Sequence, residues 1–234
     1  MKETELFERT INLIGFSAFE RLKKAKVLIA GIGGVGSYVA EALARSGVRE
    51  LILIDKDIVE LTNLNRQLHA TLNTINFPKV EAMADRLSLI NPYLKIYRFQ
   101  DEIVRGYLEK TFQNQHFTYV VDCVDDIEAK LELILYAKHT KTPVISSMGT
   151  ANRLDNTHFK IEDISKTKMC PLARKMRRKL KECNILKDVK VLYAEATPHK
   201  KEGLLGTMSY VPGTAGLLIA GEIIQSIIYN DVCN

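Results

Sequence analysis

The feature that most constrains this chain is an apolar run that stops abruptly at a cluster of glycines. Lys26 to Ala30 (KVLIA) leads into Gly31-Ile32-Gly33-Gly34-Val35-Gly36, and an alanine-rich segment, Val35 to Ser46, follows. The short β-branched run reads as a buried strand. The segment beyond the glycines reads as a helix with Gly47 at its C-terminal cap. Glycines between a strand and a helix let backbone N–H groups approach a phosphate at the helix N-terminus, where the helix dipole favours negative charge. Strand, glycine loop and helix in that order open a βαβ unit, so the chain must build a parallel sheet.

The alternation continues. Leu51 to Ile54, Ile96 to Phe99, Tyr119 to Asp122 and Val144 to Ser147 read as further strands. Lys79 to Ile90, Ile103 to Phe112 and Ile127 to His139 read as the helices between them, and residues 4–24 as an amphipathic helix ahead of the first strand. Apolar runs rather than alternations mark strands buried on both faces. The predicted fold class is therefore α/β: a Rossmann-like, parallel-core sheet with helices on both faces. After Met148 the rhythm changes. Residues 157–161 and 191–196 read as strands around a basic helical segment, and Thr214 to Tyr229 as a last apolar helix, giving a mixed-sheet C-terminal extension with a basic helix. The expected organisation is one α/β domain over residues 1–234. Its nucleotide-binding core spans 1–150, and a C-terminal extension spans 151–234. At 46% hydrophobic and 26% charged residues, the 234-residue chain has the balance of an ordinary globular protein.

Several classes are excluded. The N-terminal MKETELFERT has no apolar signal core. The apolar stretch from Leu217 to Tyr229 is interrupted by Glu222 and Gln225 and is too short to span a bilayer, so no membrane role and a cytoplasmic location are expected. Cys123, Cys170, Cys183 and Cys233 form no CxxC pair, which argues against a paired-cysteine zinc site and points to reduced thiols.

The glycine loop alone separates neither NAD from ATP nor a ligand site from a packing turn. Asp55, at the end of the next strand, is placed for ribose hydroxyls. The segment from Asp55 through Asp57 and Asn63 to Arg66 and Gln67, with Lys79 beyond it, adds fixed cations to the same crevice. An NAD site has little use for them. Adenylation of a carboxylate does, because charge builds on the triphosphate as pyrophosphate departs. Asp122-Cys123-Val124-Asp125-Asp126 then places carboxylates at a strand's C-terminal end, where open α/β sheets bind ligands and where Mg²⁺ can be held between phosphate oxygens.

The segments KVLIAGIGGVGSYVAEALARSGV, LILIDKDIVELTNLNRQLHA, FPKVEAMADRLSLINP and VVDCVDDIEAK resemble the adenylating enzymes related to ubiquitin-activating enzymes and the bacterial ThiF, MoeB and HesA proteins. TNLNRQLHA and IEDISKTKMCPLARKMRRKLK are most similar to the branch that dehydrates threonylcarbamoyladenosine in tRNA. The resemblance implies a homodimer that uses ATP and Mg²⁺ to activate the carboxylate of that base, with a sulfur-transfer protein as a further candidate partner. It implies a nucleotide loop at Gly31, Gly33, Gly34 and Gly36 and a ribose ligand at Asp55. Asp57 joins the same nucleotide-binding set. It also implies phosphate contacts from Asn63, Arg66, Gln67 and Lys79, with the Arg66 equivalent often supplied across the dimer. Asp125 corresponds to the Mg²⁺-binding aspartate, which with Arg66 and Lys79 makes up the catalytic set, and Arg9 to an arginine that reaches the partner's phosphates.

The basic segment Lys166 to Lys181 carries eight Lys and Arg and no acid; removing those eight from the net charge of +5 leaves −3. Such a local patch suits phosphates along an RNA stem, with Lys166, Lys168, Arg174, Lys175, Arg177 and Arg178 as expected tRNA contacts. The bland alternative is a solvated helix face. The competing functional reading is an activator of a small Gly-Gly-ending sulfur carrier, for which a thioester would form at Cys170 or Cys183. An NAD-dependent oxidoreductase leaves Arg66, Lys79 and Asp125 without a task, and a catalytically dead nucleotide-binding module predicts ATP binding without turnover.

Overall fold

A computed structural model of the chain describes residues 2–196, 198 and 205–229. The strands are β1 (Lys26–Ala30), β2 (Glu50–Ile54), β3 (Lys95–Phe99), β4 (Tyr119–Asp122), β5 (Val144–Ser147), β6 (Phe159–Asp163) and β7 (Lys190–Ala194). They form one sheet in the order β3-β2-β1-β4-β5-β7-β6, parallel throughout except where β6 runs against β7. The order reverses between β1 and β4. This is the switch point at which diverging connections leave a crevice at the C-terminal ends of the strands.

The helices are α1 (Glu3–Leu6), α2 (Glu8–Ile14), α3 (Phe16–Lys24), α4 (Gly36–Ser46), α5 (Lys79–Ile90), α6 (Tyr107–Thr111), α7 (Ile127–His139), α8 (Pro171–Glu182) and α9 (Tyr210–Ile228). Strand periodicity of two assigns the core. Val27, Ile29, Leu51, Leu53 and Val121 pack with Leu43 of α4, Met83 of α5 and Ile219 and Ile223 of α9. Leu28, Ile52, Ile54 and Val120 point the other way, onto Leu108 of α6, Leu133 and Ala137 of α7 and Met176 and Leu180 of α8.

Four elements depart from the sequence reading. The expected helix over residues 4–24 is three helices, because Phe7 leaves helical geometry and Gly15 takes φ +81°, a turn that an L side chain resists. The expected helix over 103–112 narrows to α6, preceded by Gly106 at φ +77°. β3 lies at the sheet edge and is largely exposed, so KIYRF alternates instead of reading as an apolar run. The last helix starts at Tyr210 rather than Thr214, and at 19 residues with a mean hydropathy of 1.5 over 18 of them it is long and apolar enough to cross a membrane. More than half of it is buried, with Val211, Ala215, Ile219, Ile223 and Ile227 fully covered, so it packs as a core helix. Tyr38 of α4 presses on Gly213 and Gly216, where a Cβ would lie 3.0 and 2.7 Å from its side chain respectively.

Candidate active site

The glycine loop is held by its own backbone. The N–H of Gly31 donates to the Ile54 carbonyl of β2 at 2.8 Å, and its φ of +84° is a left-handed conformation. A Cβ at Gly31 would lie 2.6–2.7 Å from the backbone of Cys123 and Val124, and one at Gly36 only 1.9 Å from the Gly31 carbonyl oxygen. These two glycines are therefore required for packing, and they bring the loop against the turn after β4. Gly33 differs: a Cβ there would meet nothing within 4 Å, so its face of the loop is open. Gly34 sits between Pro212 of α9 and the Arg66 side chain, 3.3 and 3.5 Å from a Cβ. Arg66 and the Asp122–Asp126 turn thus flank one open loop at the N-terminus of α4.

Asp55 has a part in building the loop. Its carboxylate accepts the Ile32 N–H at 2.6 Å and the Asp57 N–H at 2.9 Å, while burial pushes its carboxyl above the usual range against the pull of Lys79. Asp57 pairs with Lys79 at 2.7 Å; the lysine side chain is 8% exposed and the aspartate 53%. Lys79 is thus a fixed cation at the start of α5.

Between β2 and α5 the chain folds back on itself. Asn63 is buried in a single 3-10 turn, where its Oδ1 accepts the Glu60 N–H and its carbonyl accepts the N–H groups of Arg66 and Gln67. Arg66 donates to the Thr62 carbonyl at 2.8 Å and to Asn65 Oδ1 at 3.0 Å. Gln67 is buried, and its Oε1 has no hydrogen-bond partner among the described residues. His69, which the sequence reading did not single out, is 2% exposed with both ring nitrogens unpartnered. Burial, with Lys79 and Arg86 nearby, pulls its imidazole down to about 4, so it is neutral at pH 7.

The turn after β4 sorts three aspartates by environment. Asp122 is fully buried and pairs with the equally buried Lys130 of α7, both oxygens lying 3.1 Å from Nζ. Ser146 donates to the same carboxylate, and Lys130 also donates to the Ser147 carbonyl at 2.7 Å, so the pair ties the ends of β4 and β5 to α7. Removing one member of such a pair leaves a buried charge and costs roughly 3–5 kcal/mol. Asp126 caps α7, accepting the Ala129 N–H at 2.8 Å. Asp125 is exposed and makes no hydrogen bond or ion pair with any described residue. It is the one of the three that no described residue engages. Lys130 escaped the sequence reading, although a lysine among Ala129, Leu133, Ile134 and Ala137 on one helix was a signal of a buried counter-ion.

On α8, Ala173, Met176 and Leu180 face the core and the cations face out. Arg174, Lys175 and Arg178 are exposed without an ion pair among the described residues, as is Lys168 just before the helix. The other two expected contacts are engaged. Arg177 is turned inward onto Thr167 and the Ile164 carbonyl, and Lys166 lies 3.9 Å from Glu162. Lys179 is also paired, with Glu128.

The cysteines are placed for packing. Cys170 is 4% exposed at the N-cap of α8, burial raises the Cys123 thiol, and Cys183 follows the helix; Cys233 lies outside the described residues. Arg9 is exposed on α2, with no described contact joining it to the crevice of its own chain. Among the described residues, no cluster of three His, Cys, Asp or Glu side chains could enclose a metal.

Comparison with known proteins places this geometry. The sequence profile of the ThiF family matches residues 7–232. The tRNA threonylcarbamoyladenosine dehydratase of Bacillus subtilis is 37% identical over 243 residues, covering 95% of this chain and 94% of that protein. Among solved structures, the Escherichia coli tRNA N6-threonylcarbamoyladenosine dehydratase in complex with AMP superposes with a TM-score of 0.92 at 30% identity, over 97% of this chain and 96% of the other. The same enzyme in complex with ATP gives 0.91 at 30% identity, over 99% and 97%.

Proposed function

The chain belongs to the ThiF family, and from that premise we propose that it is an ATP-dependent tRNA dehydratase. In this reading it adenylates the carboxylate of threonylcarbamoyladenosine and closes the base to its cyclic form, releasing AMP and pyrophosphate. The observation that carries the reading is the open glycine loop at Gly33, flanked by Arg66 on one side and on the other by a turn whose only uncommitted carboxylate is Asp125. The relatives and structural neighbours with dehydratase names support the choice of substrate.

ATP lies along the loop, with its phosphates toward Gly33 and the N-terminus of α4 and its ribose toward Asp55. The substrate carboxylate oxygen attacks the α-phosphorus, and the bond to the bridging oxygen breaks as pyrophosphate leaves with the electron pair. Arg66 and Lys79 stabilise the charge that accumulates on the leaving group. Gln67, with its unpartnered Oε1, and Asn63 complete the polar floor. A nitrogen of the same substrate then attacks the activated carbonyl and expels AMP. The closure is intramolecular and needs no protein nucleophile. The donor set fits Mg²⁺, a cation that takes one or two carboxylates and completes its shell with phosphate oxygens and water. Asp125 would hold it, and the ion would supply charge neutralisation of the phosphates.

The exposed cations of α8 and Lys168 would lie along the tRNA backbone. Residues 1–150 act as nucleotide-binding core and 151–234 as substrate-binding and dimer-packing extension of a cytoplasmic homodimer, in which the partner's Arg9 completes the phosphate site and to which a sulfur-transfer protein docks. The competing substrate, the Gly-Gly end of a small sulfur carrier, shares every step up to the adenylate. Turnover of ATP to AMP with tRNA carrying threonylcarbamoyladenosine, against tRNA lacking it, separates the two. Stimulation by the modified tRNA alone is expected, and stimulation by neither sinks the proposal. Asp125→Asn is expected to lower turnover at least about a hundredfold while the fold is retained.

A further inference from the structure

The chain just before α9 joins two of the sheet's connections. Gly206 and Asn152 pair reciprocally, with the Asn152 N–H on the Gly206 carbonyl and the Gly206 N–H on Asn152 Oδ1, both at 2.7 Å. One residue later, the Thr207 carbonyl accepts a hydrogen bond from Asn65 Nδ2 at 3.1 Å. Asn152 follows β5 and Asn65 follows β2, and in the sheet order β2-β1-β4-β5 those strands stand on either side of the switch point. Gly206 and Thr207 are adjacent, so the connections that follow β5 and β2 are drawn together on this one segment. The exit of the segment is fixed as well. The Tyr210 hydroxyl donates to the Leu154 carbonyl at 2.5 Å, and Pro212 packs against Gly34.

Asn65 uses both ends of its carboxamide. Nδ2 holds this segment and Oδ1 accepts from the Arg66 guanidinium at 3.0 Å. Arg66 is the cation placed on the departing pyrophosphate, and its remaining internal bond, to Thr62, leaves its direction to be set by these neighbours. We infer that Asn65 is a positioning residue, transmitting the placement of residues 206–207 to the orientation of Arg66. The inference rests on the adenylating reading proposed above. Asn65 is exposed, so the fold does not depend on it. Asn152 sits at φ +56°, a backbone that glycine adopts without strain, so Asn152→Gly removes the Oδ1 acceptor of the far tether and leaves only the backbone N–H on the Gly206 carbonyl.

The test is steady-state AMP formation on threonylcarbamoyladenosine-containing tRNA by the full-length wild type, Asn65→Ala, Asn152→Gly and the double variant, with thermal unfolding as a control. Each single variant is expected to lose about tenfold in kcat, to shift KM for ATP by less than about threefold, and to unfold at the wild-type temperature. The double variant is expected to be no worse than Asn65→Ala alone, because both cuts fall on one chain of contacts. Losses that multiply in the double variant, a loss carried by KM for ATP alone, or singles with unimpaired kcat overturn the inference while leaving the dehydratase reading intact. A wild type idle on the modified tRNA overturns that reading, and the inference with it.

Discussion

The glycine loop and α8 are built on opposite terms. Around the glycine loop, polar groups are committed to one another: Asp55 to the loop's own amides, Lys79 to Asp57, Asp122 to Lys130, and Gly31 and Gly36 to backbone contacts that tolerate no Cβ. Along α8 the reverse holds, with Arg174, Lys175 and Arg178 in solvent and unpaired among the described residues. The first region can fix charges to within a fraction of an ångström, which stabilisation of a developing charge demands. The second can only supply a mobile positive potential, which suits a phosphate backbone met in many registers. Preorganisation and adaptability are divided between the two.

The division is exposed to test, and the largest effect belongs to the glycine loop. Gly36→Ala drives a methyl into the Gly31 carbonyl, 1.9 Å away. It is expected to cost about 3 kcal/mol or more in chemical denaturation and to abolish ATP binding by calorimetry. Normal binding by that variant breaks the claim that the loop is sterically fixed. On α8, replacing Arg174, Lys175 and Arg178 together by Gln is expected to leave stability within about 0.5 kcal/mol. The slope of log affinity for tRNA against log salt concentration should become shallower by about 2. An unchanged slope means the tRNA lies elsewhere.

An effect seen only at low pH concerns His69. Its folded imidazole titrates at about 4 and its unfolded one at 6.5, so the unfolded chain binds the proton first and stability drains as pH falls through that window. At pH 5 the loss is about 2 kcal/mol relative to pH 7. His69→Gln should remove that part of the pH dependence, measured by urea unfolding at both pH values. An unaltered dependence would show that the imidazole is already solvated or paired.

Much of the frame was legible from local signals. The helices over 79–90 and 127–139 and the strands at 26–30, 119–122 and 144–147 have the bounds that periodicity predicts. Elsewhere the local signal misled. Residues 4–24 carry one amphipathic pattern, but a glycine at positive φ divides it. The basic run reads as a uniform patch, yet Arg177 turns inward to hold the turn before α8. A charge count cannot reveal which cations have a neighbour to satisfy.

The sequence by itself determined the parallel sheet, the tight loop at Gly31 to Gly36 and the crevice's position, because each follows from short-range sterics and hydrophobic period. Only the tertiary structure decided which of Asp122, Asp125 and Asp126 is free. All three look alike in the chain, and what separates them is burial beside Lys130, a helix cap and open solvent. It likewise decided that Asn65 and Asn152 both bond the chain at residues 206–207, since hydrogen bonds between residues 142 and 54 positions apart depend on how the sheet's connections return to one edge, and no local pattern encodes that.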